Sequence, residues 1–111
     1  MKIFTLLGAG LLLSLSTSVF AEEHADEALK HANAAVTHGK AGHASVLVEH
    51  ADEALKHAQK SAEVSKGDAK NHIDEGIKSL ESAIEHGKQG HAEIATEAAE
   101  EAVKHIKAGN K

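Results

Sequence analysis

The segment HADEALKHANAAVTHGKAGHASVLVEHADEALKHA, residues 24–58, decides the fold of this chain. Its two halves are rich in Ala, Leu, Glu and Lys, which are strong helix formers. Between them lies HGKAGH (residues 38–43), whose glycines suit a left-handed helix end followed by a new helix start. The segment therefore predicts two helices joined by a short turn, and such a short connection makes neighbouring helices antiparallel.

The same hairpin occurs a second time in the chain. A shift of 48 residues places HGKAGH (38–43) on HGKQGH (86–91) and defines hairpin repeats at about 24–60 and 72–108. The glycine-containing breaks predict four helices, with Gly67 after the second helix and Asp68 as the N-cap of the third. The predicted helices span residues 23–38, 43–64, 69–86 and 91–108. We expect an all-α fold, an up-down-up-down antiparallel four-helix bundle built from two duplicated hairpins.

An apolar stripe in the same heptad register of each predicted helix identifies the core. Alanine supplies most of it, with larger residues such as Leu47, Ile73, Leu80 and Ile106 at intervals. In the third helix Gly76 stands where the first has Ala28. Alanine permits close helices but buries little apolar area, so we expect only modest stability in the absence of a ligand.

Residues 1–21 have the features of a secretory signal peptide. Lys2 provides the charge, an apolar run extends from Ile3 to Leu15, and the segment ends in the small residue Ala21. The run is shorter than the ~18–20 residues that a membrane-spanning helix needs. We therefore expect export, cleavage after Ala21 and a single mature domain, residues 22–111, that is not inserted in the membrane.

The mature chain would be acidic and without cysteine. Removal of Lys2 leaves 11 lysines against 17 acidic residues, a net charge of −6 with neutral histidines. That charge argues against nucleic acid and anionic membranes as partners and suits cations. Without cysteine the domain has no disulfide to stabilise it. The lack of Cys, and of any Met except Met1, also argues against a dedicated copper(I) site.

Ten histidines share one heptad position beside the core stripe, and they are the candidate metal ligands. Of the twelve such positions only Ser79 and Ala98 are not histidine. The histidines are His24, His31, His38, His43, His50, His57, His72, His86, His91 and His105. Residues seven apart on one helix are separated by about 10.5 Å. Because two ligands of one ion must each lie ~2.0–2.1 Å from it, partners must come from neighbouring helices.

Each predicted ligand pair, or rung, joins the two helices of one hairpin. The pairs are His24 with His57, His31 with His50, His38 with His43, His72 with His105, and His86 with His91. Ser79 and Ala98 fall in one rung together, which pairwise sites would predict.

Carboxylates one helical turn from these histidines are auxiliary candidate ligands. They are Glu27, Glu53, Glu75 and Glu101. Lys30, Lys56 and Lys104 are expected to form helix ion pairs rather than to bind metal. Sites with nitrogen and oxygen donors suit Cu(II), Ni(II) and Zn(II), and the Irving–Williams order places Cu(II) first. The sequence thus indicates a monomeric protein whose partners are divalent metal ions.

Other functions are weaker interpretations. A pH-responsive structural or interaction bundle is the main alternative, because imidazoles with pKa ~6.5 would become charged together and repel one another on mild acidification. A set of membrane-surface helices is disfavoured by the negative charge and the missing aromatic residues. We do not expect an enzyme, because no Ser–His–Asp or Cys–His arrangement is present and the histidines have similar environments.

The repeated HADEALKH segments (24–31 and 50–57) and the two HGKxGH turns resemble the small metal-binding protein family of bacteria, over essentially the whole mature chain. The resemblance implies a periplasmic four-helix bundle that binds several divalent metals reversibly, favours copper and serves copper buffering and tolerance. It also implies that the ten histidines occupy the family's repeated histidine positions. Ser79 and Ala98 depart from that pattern, and residues 107–111 lack the histidines expected of the family's tail. We therefore expect a lower capacity, particularly in the second hairpin.

Overall fold

The computed structural model describes the backbone of residues 2–110 and the side chains of residues 19–110. Its four helices are α1 (Lys2–Lys40), α2 (Ala44–Val64), α3 (Gly67–Lys88) and α4 (Ala92–Gly109). Both α1 and α3 pack against α2 and α4. This arrangement confirms the predicted antiparallel four-helix bundle, and no strand occurs in the described backbone.

The first helix begins earlier than predicted, at Lys2 rather than near residue 23. The predicted signal peptide, residues 1–21, lies largely outside the residues whose side chains are described. The helical backbone continues through Ala21 and Glu22 because no proline interrupts this part of the chain. Within the residues whose side chains are described, no helical segment is long and apolar enough to cross a membrane.

The two HGKxGH turns end α1 and α3 in the predicted way. Gly42 has φ +84°, and Gly90 in the second turn has φ +83°, both in the left-handed region. The N–H of His43 donates to the carbonyl of His38 at 2.9 Å, and the N–H of Gly42 donates to that of Gly39 at 3.0 Å. Residues 86–91 repeat both bonds, each at 3.0 Å. These are the two bonds of a Schellman motif, which satisfies the last helix carbonyls and turns the chain back.

The connection between the hairpins differs from the prediction in one detail. Helix α3 begins at Gly67, whose φ is +61°, and Lys66 is the N-cap without a side-chain bond. Asp68 lies in the first turn of α3, so its prediction as the N-cap was wrong. Because glycine adopts a positive φ without steric cost, the chain re-enters a helix at Gly67, two residues earlier than predicted. Asp68 still places a negative charge at the helix start, where it is favourable.

The core has the predicted composition, and it is unevenly distributed. Of the 17 buried apolar residues that the structure describes, 12 are alanine. The larger ones (Leu47, Ile73, Leu80, Ile84 and Ile106) come from α2, α3 and α4. The described part of α1 buries alanines and keeps Leu29 and Val36 half-buried. Because alanine buries little apolar area, the described part of α1 is held less strongly by hydrophobic contact than the other three helices.

Two features of the interior go beyond the predicted stripe. A Cβ at Gly76 would lie 2.7 Å from Cγ1 of Ile106, so the glycine makes room for the fully buried isoleucine of α4. Two polar side chains are buried with hydrogen bonds: Ser61 donates to the carbonyl of Ala21 at 3.0 Å, and Thr96 donates to that of Ala92 at 2.6 Å. A pattern of apolar residues does not identify such satisfied hydroxyls.

Candidate metal centre

Six imidazoles form one continuous row along the α1–α2 hairpin. We call this set (His43, His38, His50, His31, His57 and His24, in spatial order) the first-hairpin row. Successive ring centroids in it are 6.1, 5.4, 5.6, 6.0 and 5.1 Å apart. Each interior ring therefore contacts two rings of the opposite helix. The predicted partners do meet, but the rings are staggered rather than arranged as separate rungs.

Two pairs in the row bring ring nitrogens close enough to hold one ion. The Nδ1 atoms of His24 and His57 lie 2.9 Å apart, and those of His31 and His50 lie 3.4 Å apart. Metal–nitrogen bonds of 2.0–2.1 Å place two ligand nitrogens about 2.9 Å apart at a right angle and about 3.4 Å apart in a tetrahedron. The nitrogen separations of both pairs therefore fit a shared transition-metal ion.

One carboxylate joins two rings of the row in a three-ligand cluster. Ligand atoms of Glu27, His31 and His57 all lie within 4.8 Å of one another. Two ligands of a single ion are at most about 4.2 Å apart, so side-chain movements of less than about 1 Å would complete the site. All three residues are half-buried. The cluster crosses the predicted rungs, because it combines His31 and His57 rather than His24 and His57.

The other auxiliary carboxylates face lysines. Glu53, Glu75 and Glu101 lie 3.3, 3.7 and 4.0 Å from Lys56, Lys78 and Lys104. Glu27 also has such a partner, Lys30 at 3.7 Å. The ion pairs predicted for Lys30, Lys56 and Lys104 are thus present. Of the four carboxylates, Glu27 is the one that the structure places close enough to two imidazoles to share a metal ion with them.

The second hairpin brings together fewer histidines. The rings of His86 and His91 lie 6.2 Å apart across the turn. Nδ1 of His86 is buried and has no hydrogen-bond partner in the described part of the chain, which costs about 1–3 kcal/mol unless a ligand binds it. His72 is exposed, and His105 has Glu101 at 4.0 Å. Between His72 and His105 the structure shows no ring contact of the kind seen in the first-hairpin row.

Histidine also occupies the N-cap position of two helices. His43 precedes α2 and His91 precedes α4, and neither imidazole bonds to a backbone N–H of its helix. Ser, Thr, Asp and Asn are the favoured N-caps, and a residue that leaves the helix start uncapped costs about 0.5–2 kcal/mol. Both imidazoles are therefore free to bind a ligand. Helix capping alone would favour Ser, Thr, Asp or Asn at these two positions.

Electrostatics favour the neutral form of one imidazole in the row, that of His57. Burial lowers the pKa of His57, and the charge of a protonated His24 lowers it further. Glu27 acts on the same pKa in the opposite direction. A hydrogen bond from Lys56 lowers the pKa of the Glu53 carboxyl. Because metal binds neutral imidazole, the lowered pKa favours the binding form of His57.

Comparison with known proteins agrees with this chemistry. A family model described as "Small metal-binding protein" matches residues 1–109. Its description names metal binding and no reaction. No curated protein matches the chain. The match confirms the resemblance that the repeated HADEALKH segments and HGKxGH turns indicate.

Proposed function

The chain belongs to the small metal-binding protein family, and on that premise we propose that it buffers divalent transition-metal ions in the periplasm, with copper(II) bound most strongly. Metal binding itself follows from the family and is supported by the Glu27, His31 and His57 cluster. The single observation that carries the proposal is the first-hairpin row. Histidines that only interact with solvent would have no reason to form a continuous row in which four of the five ring contacts are stacked.

Copper(II) is favoured by the donors that the row provides. Its ligands are imidazole nitrogens with one nearby carboxylate, a set that suits Cu(II), Ni(II) and Zn(II). Among these ions the Irving–Williams order gives Cu(II) the highest affinity. Thiolate and thioether ligands, which would select Cu(I), do not occur in residues 22–111.

The staggered geometry supports several similar sites rather than one tuned site. Each interior ring has two neighbours at 5.1–6.1 Å. His57 can therefore serve an ion with His24 or with His31. An ion bound at one position withdraws a ligand from the next. Affinity should therefore fall step by step as ions are added, and such a graded series of sites is what a buffer requires.

Metal binding would also stabilise the bundle. The described part of α1 contributes alanine to the core, and it contributes His24, His31 and His38 to the first-hairpin row. An ion that links these histidines to α2 ties down this part of α1, which hydrophobic contact holds less strongly than the other helices. Binding free energy is in this way coupled to folding free energy.

The proposed location depends on the amino-terminal segment. Residues 1–21 have the charged start, short apolar run and small final residue of a cleaved signal peptide. An oxidising compartment favours Cu(II) over Cu(I), which agrees with a row of imidazole ligands that contains no thiolate.

The test is a copper(II) titration by calorimetry at neutral pH on the wild type and two double variants. His31→Ala with His50→Ala interrupts the first-hairpin row, whereas His72→Ala with His105→Ala removes two histidines without such contacts. We expect several ions bound by the wild type, a clear loss of the tightest binding in the first variant and little loss in the second. Equal losses would show that the row is not the binding unit. An absence of saturable binding would refute the function and leave the pH-responsive bundle as the better hypothesis.

A further inference from the structure

We propose that removal of the signal peptide creates a second kind of copper(II) site at the new amino terminus. The ligands would be the α-amino group of Glu22, the backbone nitrogens of Glu23 and His24, and Nδ1 of His24. Four nitrogens in one plane suit Cu(II) and Ni(II), the two ions that accept a square-planar arrangement. The inference rests on the export and cleavage that form part of the proposed function.

The position of His24 relative to the predicted cleavage point is the first argument. Cleavage after Ala21 makes Glu22 the first residue, Glu23 the second and His24 the third. With histidine third, the amine, two successive amide nitrogens and the imidazole are joined by small chelate rings and can encircle one ion. A shift of the histidine by one residue in either direction would break this series of rings.

The backbone that would bind the ion is made available by cleavage. In the uncleaved chain residues 22–24 lie inside α1, where the N–H groups of Glu23 and His24 donate to the carbonyls of Val19 and Phe20. Cleavage removes both acceptors, and the first N–H groups of the shortened helix then have no partner within it. When the ion binds, the only helix hydrogen bonds that must break are those accepted by the carbonyls of residues 22–24.

The surroundings of these residues leave room for an ion. Glu22 and Glu23 are exposed. Glu23 and His24 line a shallow surface depression together with Asp26 and Glu27. Three carboxylates therefore share this depression with the imidazole, and their negative charge attracts a divalent cation.

His24 can leave the first-hairpin row without dismantling the cluster beside it. In the uncleaved chain Phe20 packs against the His24 ring with centroids 4.4 Å apart, and cleavage removes Phe20. The other described ring contact of His24 is with His57. Because His57 also belongs to the cluster with Glu27 and His31, that cluster remains when His24 turns to the amino terminus. The two sites can then be filled together.

The chemistry balances with water as the co-reactant and a signal peptidase as the catalyst. Hydrolysis of the Ala21–Glu22 peptide bond leaves a carboxylate on Ala21 and an ammonium group on Glu22. When the ion binds, the ammonium group and the two amide nitrogens each lose one proton to solvent, and His24 binds as neutral imidazole. Proton release of this kind accompanies metal binding in general.

The experiment compares Glu23→Pro with Glu23→Gln in protein purified after export from cells that express the full chain. Proline has no N–H to lose, and it is tolerated in the first turn of a helix. Glutamine keeps the N–H and removes the same charge. Mass spectrometry of each protein establishes the amino-terminal residue, and copper(II) is then added while visible absorption and electron paramagnetic resonance are recorded.

We expect a chain that starts at Glu22. In the wild type and Glu23→Gln, one equivalent of copper(II) should give the spectrum of four in-plane nitrogens, with its absorption at shorter wavelength than imidazole-bound copper. Glu23→Pro should lose this signal while it keeps all ten histidines. A different first residue, or the same spectra in all three proteins, would overturn the inference. If imidazole-bound copper is still seen in that case, the buffering function stands; if no copper binds, the function fails as well.

Discussion

Replacing Glu27 with glutamine removes the carboxylate of the Glu27, His31 and His57 cluster and keeps the size of the side chain. Its effect on the metal-free fold should be small. The ion pair with Lys30 spans 3.7 Å between side chains that are 44% and 73% exposed. Exposed pairs at this helix spacing contribute about 0.5 kcal/mol or less. A change in metal binding can therefore be measured on a protein that is still folded.

The expected loss of copper affinity is larger than that. Groups that merely orient metal ligands change affinity about 10–100-fold when they are replaced. Loss of a charged ligand should therefore weaken the tightest site at least about tenfold, or about 1.4 kcal/mol. The assay is a competition titration of copper(II) against a chelator of known affinity.

The matched control is Glu53→Gln. Glu53 has the same position as Glu27 in the second HADEALKH segment, but its carboxylate pairs with Lys56 at 3.3 Å. We expect the control to bind copper as the wild type does. Equal affinities of the two variants would refute the idea that Glu27 is a ligand, and it would leave the imidazoles as the only donors of the row.

Three further predictions concern the core, the missing histidine pair and pH. Leu47→Ala should destabilise the metal-free protein by about 2–5 kcal/mol in denaturant unfolding, because Leu47 is fully buried and fills the space beside Gly39 and Gly87. An unchanged midpoint would contradict the described core. Ser79→His combined with Ala98→His completes the absent pair and should add about one copper ion in calorimetry, whereas unchanged capacity would argue against pairwise sites. The metal-free protein should lose thermal stability as pH falls below about 6.5, the value for histidine in an unfolded chain, because burial gives His57 a lower pKa in the folded state and the unfolded chain takes up the proton more readily. This stability is fully present above pH 6.5, and His57→Gln should flatten its pH dependence.

Most of the fold follows from local sequence. The HGKxGH turns contain the glycine that a Schellman motif needs, and the heptad stripe determines which face of each helix is buried. The start of α3 was less predictable, because both Gly67 and Asp68 suit the start of a helix. The direction in which the chain leaves α2 decides between them. The burial of Ser61 and Thr96 also depends on tertiary contacts, since a hydroxyl enters the core only where a carbonyl accepts its hydrogen bond.

The candidate site was predictable in its members but not in its spacing. The heptad rule identified which histidines of the first hairpin come together, and it placed them in level pairs. It also paired His72 with His105, whose rings do not meet. In the structure the rings of α1 and α2 instead alternate, as an offset of about half the seven-residue spacing, or about 5 Å, would produce. Each ring of α2 then lies between two rings of α1, which explains why His57 contacts both His24 and His31. Such an offset depends on how the side chains of both helices interdigitate, so it cannot be predicted from the sequence of either helix alone.

The short turn at residues 38–43 also affects the order in which the first hairpin unfolds. His38 and His43 are five residues apart, whereas His24 and His57 are 33 apart. The entropy lost in bringing two chain positions together grows with the logarithm of their separation, and the difference here is about 1.6 kcal/mol in favour of the turn pair. Partial unfolding should therefore begin where the helix ends meet, at His24 and His57. The imidazoles beside the turn stay near each other longest, and they are the first to meet again as the hairpin closes.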